Sequence, residues 1–320
     1  MNAPPRILFS SLSSKLGLYK EVLRQARSFN NEATVVGADS NIRSSSADKV
    51  EEFVVFPLLS ELSDSELIKL LKQINITHVL PTRDNELTYW SGRKKLLNDQ
   101  QINVWVSDQS FLQSCIDKYA FAKIFKDCEI CPVETQLSIE GKMAGRWVVK
   151  DRYGSGSKNI GLNLDARNAI EVSRNLKNPV FQPFIKGREF TAETWVDKNN
   201  ICRGISMRWR IRVINGESHE SEIFINKNWS NKLKHVFTHI AGGRGHILAQ
   251  VLVDHKENLH LVEINPRLGG ASPLSLNGGI KSIKWSLLED YEKDELIPTD
   301  PKIHQGMRLI KTNDIQIIKS

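Results

Sequence analysis

The chain changes pattern near residue 110, and that change limits its fold more than any single motif. Before it, apolar runs at residues 6–11, 33–39, 53–56, 77–82 and 103–106 read as short buried strands. Between the first two, Leu18, Val22, Leu23 and Ala26 recur at helical spacing. Before Leu67, Ile68, Leu70 and Leu71, the order Ser63-Asp64-Ser65-Glu66 carries the signature of a capped helix start. Strands alternating with helices predict a doubly wound, mainly parallel α/β sheet over residues 1–110. After a helix at 117–125 the pattern becomes strand, turn, strand, with runs at 147–150, 159–162, 180–182, 189–196, 202–213, 247–253 and 259–264. Polar turns at 197–200 and 255–258 predict antiparallel hairpins. The expectation is an α/β domain over 1–110 and an α+β nucleotide-binding domain over 111–320. The latter divides into a small lid at about 120–185 and a larger subdomain at about 186–320.

Apolar residues make up 40% of the chain and charged residues 25%, ordinary values for a globular protein. No apolar run approaches the roughly 20 residues that span a bilayer. The N-terminal apolar stretch, Ile7 to Phe9, is too short for a signal peptide, so a cytoplasmic protein without a membrane partner is expected. Residues 1–110 hold 13 basic and 13 acidic side chains, so the whole excess of +7 lies beyond them. A basic second part suggests an anionic ligand. Nucleic acid is not the expected one, for no aromatic RNA-binding run, zinc-finger spacing or basic amphipathic helix is present. Cys128 and Cys131 form a lone C-x-x-C with no second pair or suitably spaced histidines, and read as incidental thiols. Residues 10–17 contain one glycine and no G-x-G-x-x-G, which leaves Asp39 as a strand-end turn residue.

Two segments carry chemistry. Between Lys150 and Lys158, Gly154, Ser155, Gly156 and Ser157 allow backbone N–H groups to approach a polyphosphate, flanked by two lysines. The order and the following strand are not those of a P-loop. In the second segment Gln250 lies on one strand, and Glu263 and Asn265 lie two residues apart on the next, on one face. Their oxygens suit Mg²⁺. Past Pro266, Arg267 is placed to hold a phosphate oxygen.

At these segments the sequence resembles the ATP-grasp superfamily, and within it the ATP-binding halves of carbamoyl-phosphate synthase large chains and related carboxylate-amine ligases. The resemblance extends over nearly the whole chain. Residues 80–86 (from Leu80 through Pro81 and Asp84 to Glu86) resemble the late strand-end motif of the α/β domain that precedes ATP-grasp units, and Asp117-Lys118 resembles the helix start that opens them. The resemblance implies that Lys118 and Lys150 contact ATP phosphates and that residues 154–157 form the phosphate-covering loop. It puts Gln182 and the backbone at Phe184 on adenine and Glu189 on ribose. It gives Gln250, Glu263 and Asn265 one or two Mg²⁺, for which Mn²⁺ can substitute, and Arg267 the γ-phosphate. Gln182 departs from the glutamate many members carry, and Gln250 from their acidic first metal ligand, although glutamine there suits the carbamoyl-phosphate synthase pattern.

For the acceptor, Arg208, Arg210 and Arg212 alternate along a strand and would share one face able to grip a carboxylate or phosphate. Gly269 and Gly270 leave room for a substrate near the γ-phosphate. His219, His235, His239 and His246 show no metal spacing. The resemblance implies an ATP- and Mg²⁺-dependent ligase that activates a carboxylate as an acyl phosphate for attack by an amine, with Arg267, Lys150 and Arg210 as its catalytic cations. It also implies a possible homodimer. The alternatives are a half-enzyme phosphorylating bicarbonate or carbamate, or a non-catalytic ATP-binding sensor or scaffold.

Overall fold

The computed structural model describes residues 3–141, 144–154, 160–311 and 315–318. Its first layer is a sheet of five parallel strands, β1 (Arg6–Phe9), β2 (Thr34–Asp39), β3 (Phe53–Val55), β4 (His78–Leu80) and β5 (Asn103–Val104), ordered β3-β2-β1-β4-β5. Helices α1 (Leu16–Phe29), α2 (Asp64–Gln73) and α3 (Asp84–Asn98) connect them. Ser63 caps α2 through the expected reciprocal box, its hydroxyl accepting from the Glu66 amide while Glu66 reaches back to the Ser63 amide. Strands β1, β2 and β4 are short and largely buried on both faces, which is why they read as continuous apolar runs.

Two helices, α4 (Gln109–Ile116) and α5 (Lys118–Ile124), lead out of this layer. A three-stranded antiparallel sheet follows, ordered β7-β6-β8, from β6 (Trp147–Asp151), β7 (Gly161–Leu164) and β8 (Pro179–Pro183), with α6 (Ala166–Ser173) packed on it. The third sheet has strands β9 (Gly187–Val196), β10 (Cys202–Ile214), β11 (Glu217–Phe224), β12 (Gly245–Asp254), β13 (Leu259–Asn265), β14 (Arg308–Lys311) and β15 (Ile315–Ile318). Their order is β13-β12-β9-β10-β11-β14-β15, all antiparallel, and α7 (Lys227–Thr238) covers the apolar face of β9 and β10.

The chain then returns to its beginning. Helices α8 (Ser272–Asn277) and α9 (Ser282–Asp290) lie against α1, and Leu268, Leu276, Ile283 and Leu287 complete the core begun by Ile7, Phe9 and Leu18. The Trp105 indole donates to Asp290 at 2.7 Å and Gln25 donates to the Leu276 carbonyl at 3.2 Å, which pins the two ends together.

Candidate active site

A cavity of about 830 Å³ lies between the three-stranded sheet and the β9–β13 end of the large sheet, with Asp84 of α3 on its rim. Lys150 enters it from β6, almost fully buried. Burial pushes its ammonium down to about 8, against the attraction of Glu263 and with added repulsion from Lys118. Lys118 opens α5. Asp117 caps that helix by accepting from the Tyr119 and Ala120 amides at 3.0 and 3.1 Å, and receives the Arg152 Nε at 2.7 Å. The helix start is therefore locked to the end of β6. Lys118 Nζ donates to the Gly154 carbonyl at 2.8 Å. Its pKa is also lowered by burial, which Glu263 opposes most. Ser155, Gly156 and Ser157 lie outside the described residues.

Gln182 and Phe184, at the exit from β8, line the same space. Gln182 Nε2 donates to Thr135 Oγ1 at 2.8 Å, and the Phe184 amide donates to the Arg146 carbonyl at 2.7 Å. Glu189 of β9 lies 3.1 Å from Arg210 Nε; burial raises its carboxyl, and Arg210 opposes this.

On the opposite wall, Gln250 of β12 and Glu263 of β13 face each other across the hairpin. Asn265 Nδ2 donates to Glu263 Oε1 at 2.7 Å, which orients the amide and leaves its oxygen as a donor to a cation. Among the described residues no cluster of three or more His, Cys, Asp or Glu is placed to hold a metal. The set here is one carboxylate and two amide oxygens. This fits Mg²⁺ that takes its remaining ligands from phosphate and water.

Arg267 is placed by a contact the sequence did not announce. Its Nε and Nη2 grip Asp84 Oδ1 and Oδ2, both at 2.5 Å, while Nη1 donates to the Leu268 carbonyl at 3.1 Å. The guanidinium lining the cavity is thereby oriented by the first layer of the protein.

The three arginines do not stay together. Arg208 and Arg210 line the cavity, but the β10–β11 pairing shifts register between Arg210 and Arg212, and again before Val213. Arg212 is left exposed and off the cavity, and Val213, itself exposed, lines the cavity edge in its stead, so the expected single face holds two arginines. Arg210 Nη2 donates to the Gly216 carbonyl at 2.8 Å.

Behind Arg208 is a buried network that sequence reasoning missed. Arg208 Nε donates to Glu193 Oε1 at 2.9 Å, and the other oxygen of Glu193 lies 3.0 Å from His246 Nε2. His246 Nδ1 in turn lies 2.7 Å from Ser282 Oγ. Burial pushes the Glu193 carboxyl up, but Arg208 and the hydrogen bond from His246 outweigh it and hold it at about 2. A signal was available: Glu189, Thr191 and Glu193 alternate with Phe190 and Ala192 on β9, so the polar residues share one face. Thr191 Oγ1 is buried beside the cavity and has no hydrogen-bond partner among the described residues.

Two other readings are also placed. The Asp39 carboxylate accepts the Ser13 and Asn41 amides at 2.8 and 3.1 Å, as a turn residue does. The Cys128 thiol is buried and pushed up to about 11 by that burial, and the Cys131 thiol donates to the Cys128 carbonyl. Among the described residues no helix is long and apolar enough to cross a membrane.

Residues 115–271 match the family described as an ATP-grasp domain. No curated protein matches the chain by sequence. Among solved structures, a biotin carboxylase complex from Campylobacter jejuni superposes with a TM-score of 0.75 at 13% identity, over 96% of this chain and 75% of that one. The N5-carboxyaminoimidazole synthetase of Staphylococcus aureus gives 0.71 at 14% identity, over 97% and 83%. The biotin carboxylase domain dimer of Hydrogenobacter thermophilus 2-oxoglutarate carboxylase, solved with MgADP, ADP and bicarbonate, gives 0.74 at 13%, over 97% and 74%. The parallel sheet followed by antiparallel layers, as the resemblance implied, is the fold these enzymes share, and residues 115–271 form an ATP-grasp domain.

Proposed function

We propose that the protein is an ATP- and Mg²⁺-dependent ligase that activates a carboxylate as an acyl phosphate for attack by an amine. The observation that carries this is the convergence of Lys118, Lys150 and Arg267 with the oxygen donors Gln250, Glu263 and Asn265 on one cavity. Lys118 and Lys150 would neutralise the phosphates, and Gln182, Phe184 and Glu189 would hold the nucleoside. Arg267 would steady the transferred γ-phosphoryl group, which needs positioning and charge more than a protein nucleophile. Mg²⁺ (or Mn²⁺), when bound by Glu263, Asn265 and Gln250, supplies charge neutralisation between the phosphate oxygens. Arg208 and Arg210, which also line the cavity, would receive the carboxylate. Three observations favour this over a scaffold: the paired amide and carboxylate, the depressed Lys150 and the oriented Arg267.

The proposed division places the α/β domain at 1–110, the lid at about 120–185 and the metal-bearing subdomain at about 186–320. Bicarbonate belongs among the carboxylates tested, because the Hydrogenobacter domain was solved with that anion. Full-length protein incubated with MgATP and a panel of carboxylates and amines is expected to release phosphate and ADP, with amide products seen by mass. Glu263→Gln is expected to abolish that turnover. Turnover surviving the substitution, or no phosphate release across the whole panel from protein that binds MgATP, would refute the reading.

A further inference from the structure

One row of side chains crosses the sheet wall of the main cavity. Thr191 of β9 pairs with Gln250 of β12 on one side and with Arg208 of β10 on the other, and Gln250 pairs with Glu263 of β13. Residues directly opposite each other in antiparallel strands project from the same face, and all four of these line the cavity. Neighbouring strands lie about 4.8 Å apart, so the row runs about 14 Å from Glu263 to Arg208, with Thr191 one spacing from Arg208.

Thr191 is buried in this row without a bond. Its side chain is 1% exposed, and its Oγ1 has no hydrogen-bond partner among the described residues. A buried hydroxyl left unpaired costs free energy that an apolar group of the same shape would not. The carboxylates two residues away on the same face are engaged elsewhere. Glu189 lies 3.1 Å from Arg210, and Glu193 is bonded to Arg208 and lies 3.0 Å from His246. Arg208 directs its Nε to Glu193 and Nη1 to Ser221. Between Gln250 and Arg208 the wall therefore presents a hydroxyl free to donate beside a buried cation. That pairing suits an oxygen carrying negative charge.

We propose that the Thr191 hydroxyl binds the non-reacting oxygen of the substrate carboxylate, and that the same oxygen stays on it as the carbonyl of the acyl phosphate. The inference rests on the ligase reading above, which puts the phosphates at the Glu263 end of the row and the carboxylate at Arg208. When an uncharged amine attacks the acyl carbon, its lone pair forms the C–N bond and the C=O π pair moves onto this oxygen. Thr191 and Arg208 then face an oxyanion, the charge for which a fixed donor is worth most. On collapse the π bond re-forms and the C–O bond to phosphate breaks, leaving its electron pair on phosphate. The nitrogen gives its surplus proton to solvent.

Acetylphosphonate and ethylphosphonate test this, because they share size and an anionic head and only the first carries the acyl oxygen. Calorimetric titration of the MgADP-loaded full chain is expected to show acetylphosphonate binding at least tenfold more tightly than ethylphosphonate. Thr191→Val should bring the two within twofold of each other, and Thr191→Ser should keep at least a fivefold preference. Both variants should bind MgADP within twofold of wild type. The urea midpoint of Thr191→Val should be no lower than that of wild type, since no bond within the fold is lost. Wild-type protein that binds neither phosphonate or shows no preference overturns the assignment. So does a preference that Thr191→Val retains or Thr191→Ser loses, or a lowered midpoint in Thr191→Val. A loss of MgADP affinity in Thr191→Val gives the hydroxyl to the nucleotide and overturns it as well. Wild-type protein that fails to bind MgADP overturns the nucleotide reading itself, and the assignment falls with it.

Discussion

Lys150→Met should stabilise the nucleotide-free protein and disable it. The ammonium is buried among side chains that include another cation, and titrates near 8 instead of 10.5. Through linkage, that depression makes the protonated form on the order of 3 kcal/mol less favourable in the folded chain than in the unfolded one, net of the attraction to Glu263. Methionine has a similar reach and no charge, so most of this is recovered. We expect the variant to gain about 1–3 kcal/mol in urea unfolding at pH 7, which is the usual trade between a functional charge and stability. The sign with pH is also set. Below pH 8 the lysine is protonated in both states and the wild type bears the full penalty. Between pH 8 and 10.5 the folded chain sheds the proton while the unfolded chain keeps it, so wild-type stability rises towards that of the variant. Unfolding series at pH 7, 8.5 and 9.5 should therefore show a shrinking gap, and MgATP affinity should fall at least 100-fold in the variant at pH 7. A variant less stable than wild type at pH 7, or a gap that widens with pH, refutes the reasoning.

Asp84→Asn removes the charge that holds Arg267 through two hydrogen bonds of a kind worth about 1.5–3 kcal/mol each at most. We expect kcat for phosphate release to fall about 10- to 100-fold with little change in KM for ATP, checked by steady-state kinetics. Glu193→Gln leaves Arg208 buried without its anion, and should cost about 3–5 kcal/mol in urea unfolding and raise the carboxylate KM. Arg210→Ala should raise that KM at least tenfold, whereas Arg212→Ala, at an exposed position off the cavity, should stay within twofold in the same assay. Leu287→Ala, from the core shared by α9 and the first sheet, should destabilise by about 2–5 kcal/mol in a single cooperative transition measured by circular dichroism.

Local signals carried much of the fold. Continuous apolar runs gave the parallel strands, Ser63 and Glu66 gave the start of α2, and Glu263 and Asn265 gave the face of β13. The Asn215-Gly216 pair, with φ of 50° and 78°, turns β10 into β11 and is a strong hairpin signal. It was legible, and passing over it left β11 and the register shift beside Arg212 unforeseen. Helices α8 and α9 were illegible for another reason: their apolar residues are matched by α1, some 250 positions earlier, so nothing local marks them as part of that core. The site divides in the same way. Each oxygen donor and lysine was visible from its own strand or loop, but the partner of Arg267 lies 183 residues away and the partners of Glu193 on other elements.

That separation has a mechanical consequence. Lys118 is tied to the segment after β6 through the Gly154 carbonyl, Lys150 stands on β6 itself, and Arg267 is tied to α3 through Asp84. In the proposed complex, one polyphosphate would draw on cations anchored in two different parts of the chain. Lys118 and Lys150 repel each other while no phosphate lies between them, a cost that a bound anion removes. Arg267 differs, because Asp84 already satisfies it and a phosphate oxygen must compete for its free edge. A nucleotide lacking the γ-phosphate should therefore recover the lysine repulsion while leaving the Arg267–Asp84 pair untouched. MgADP should accordingly bind Asp84→Asn with wild-type affinity even though turnover falls. Equal damage to MgADP binding and to turnover in that variant would mean that Asp84 supports the fold of the cleft as a whole and not the placement of one guanidinium.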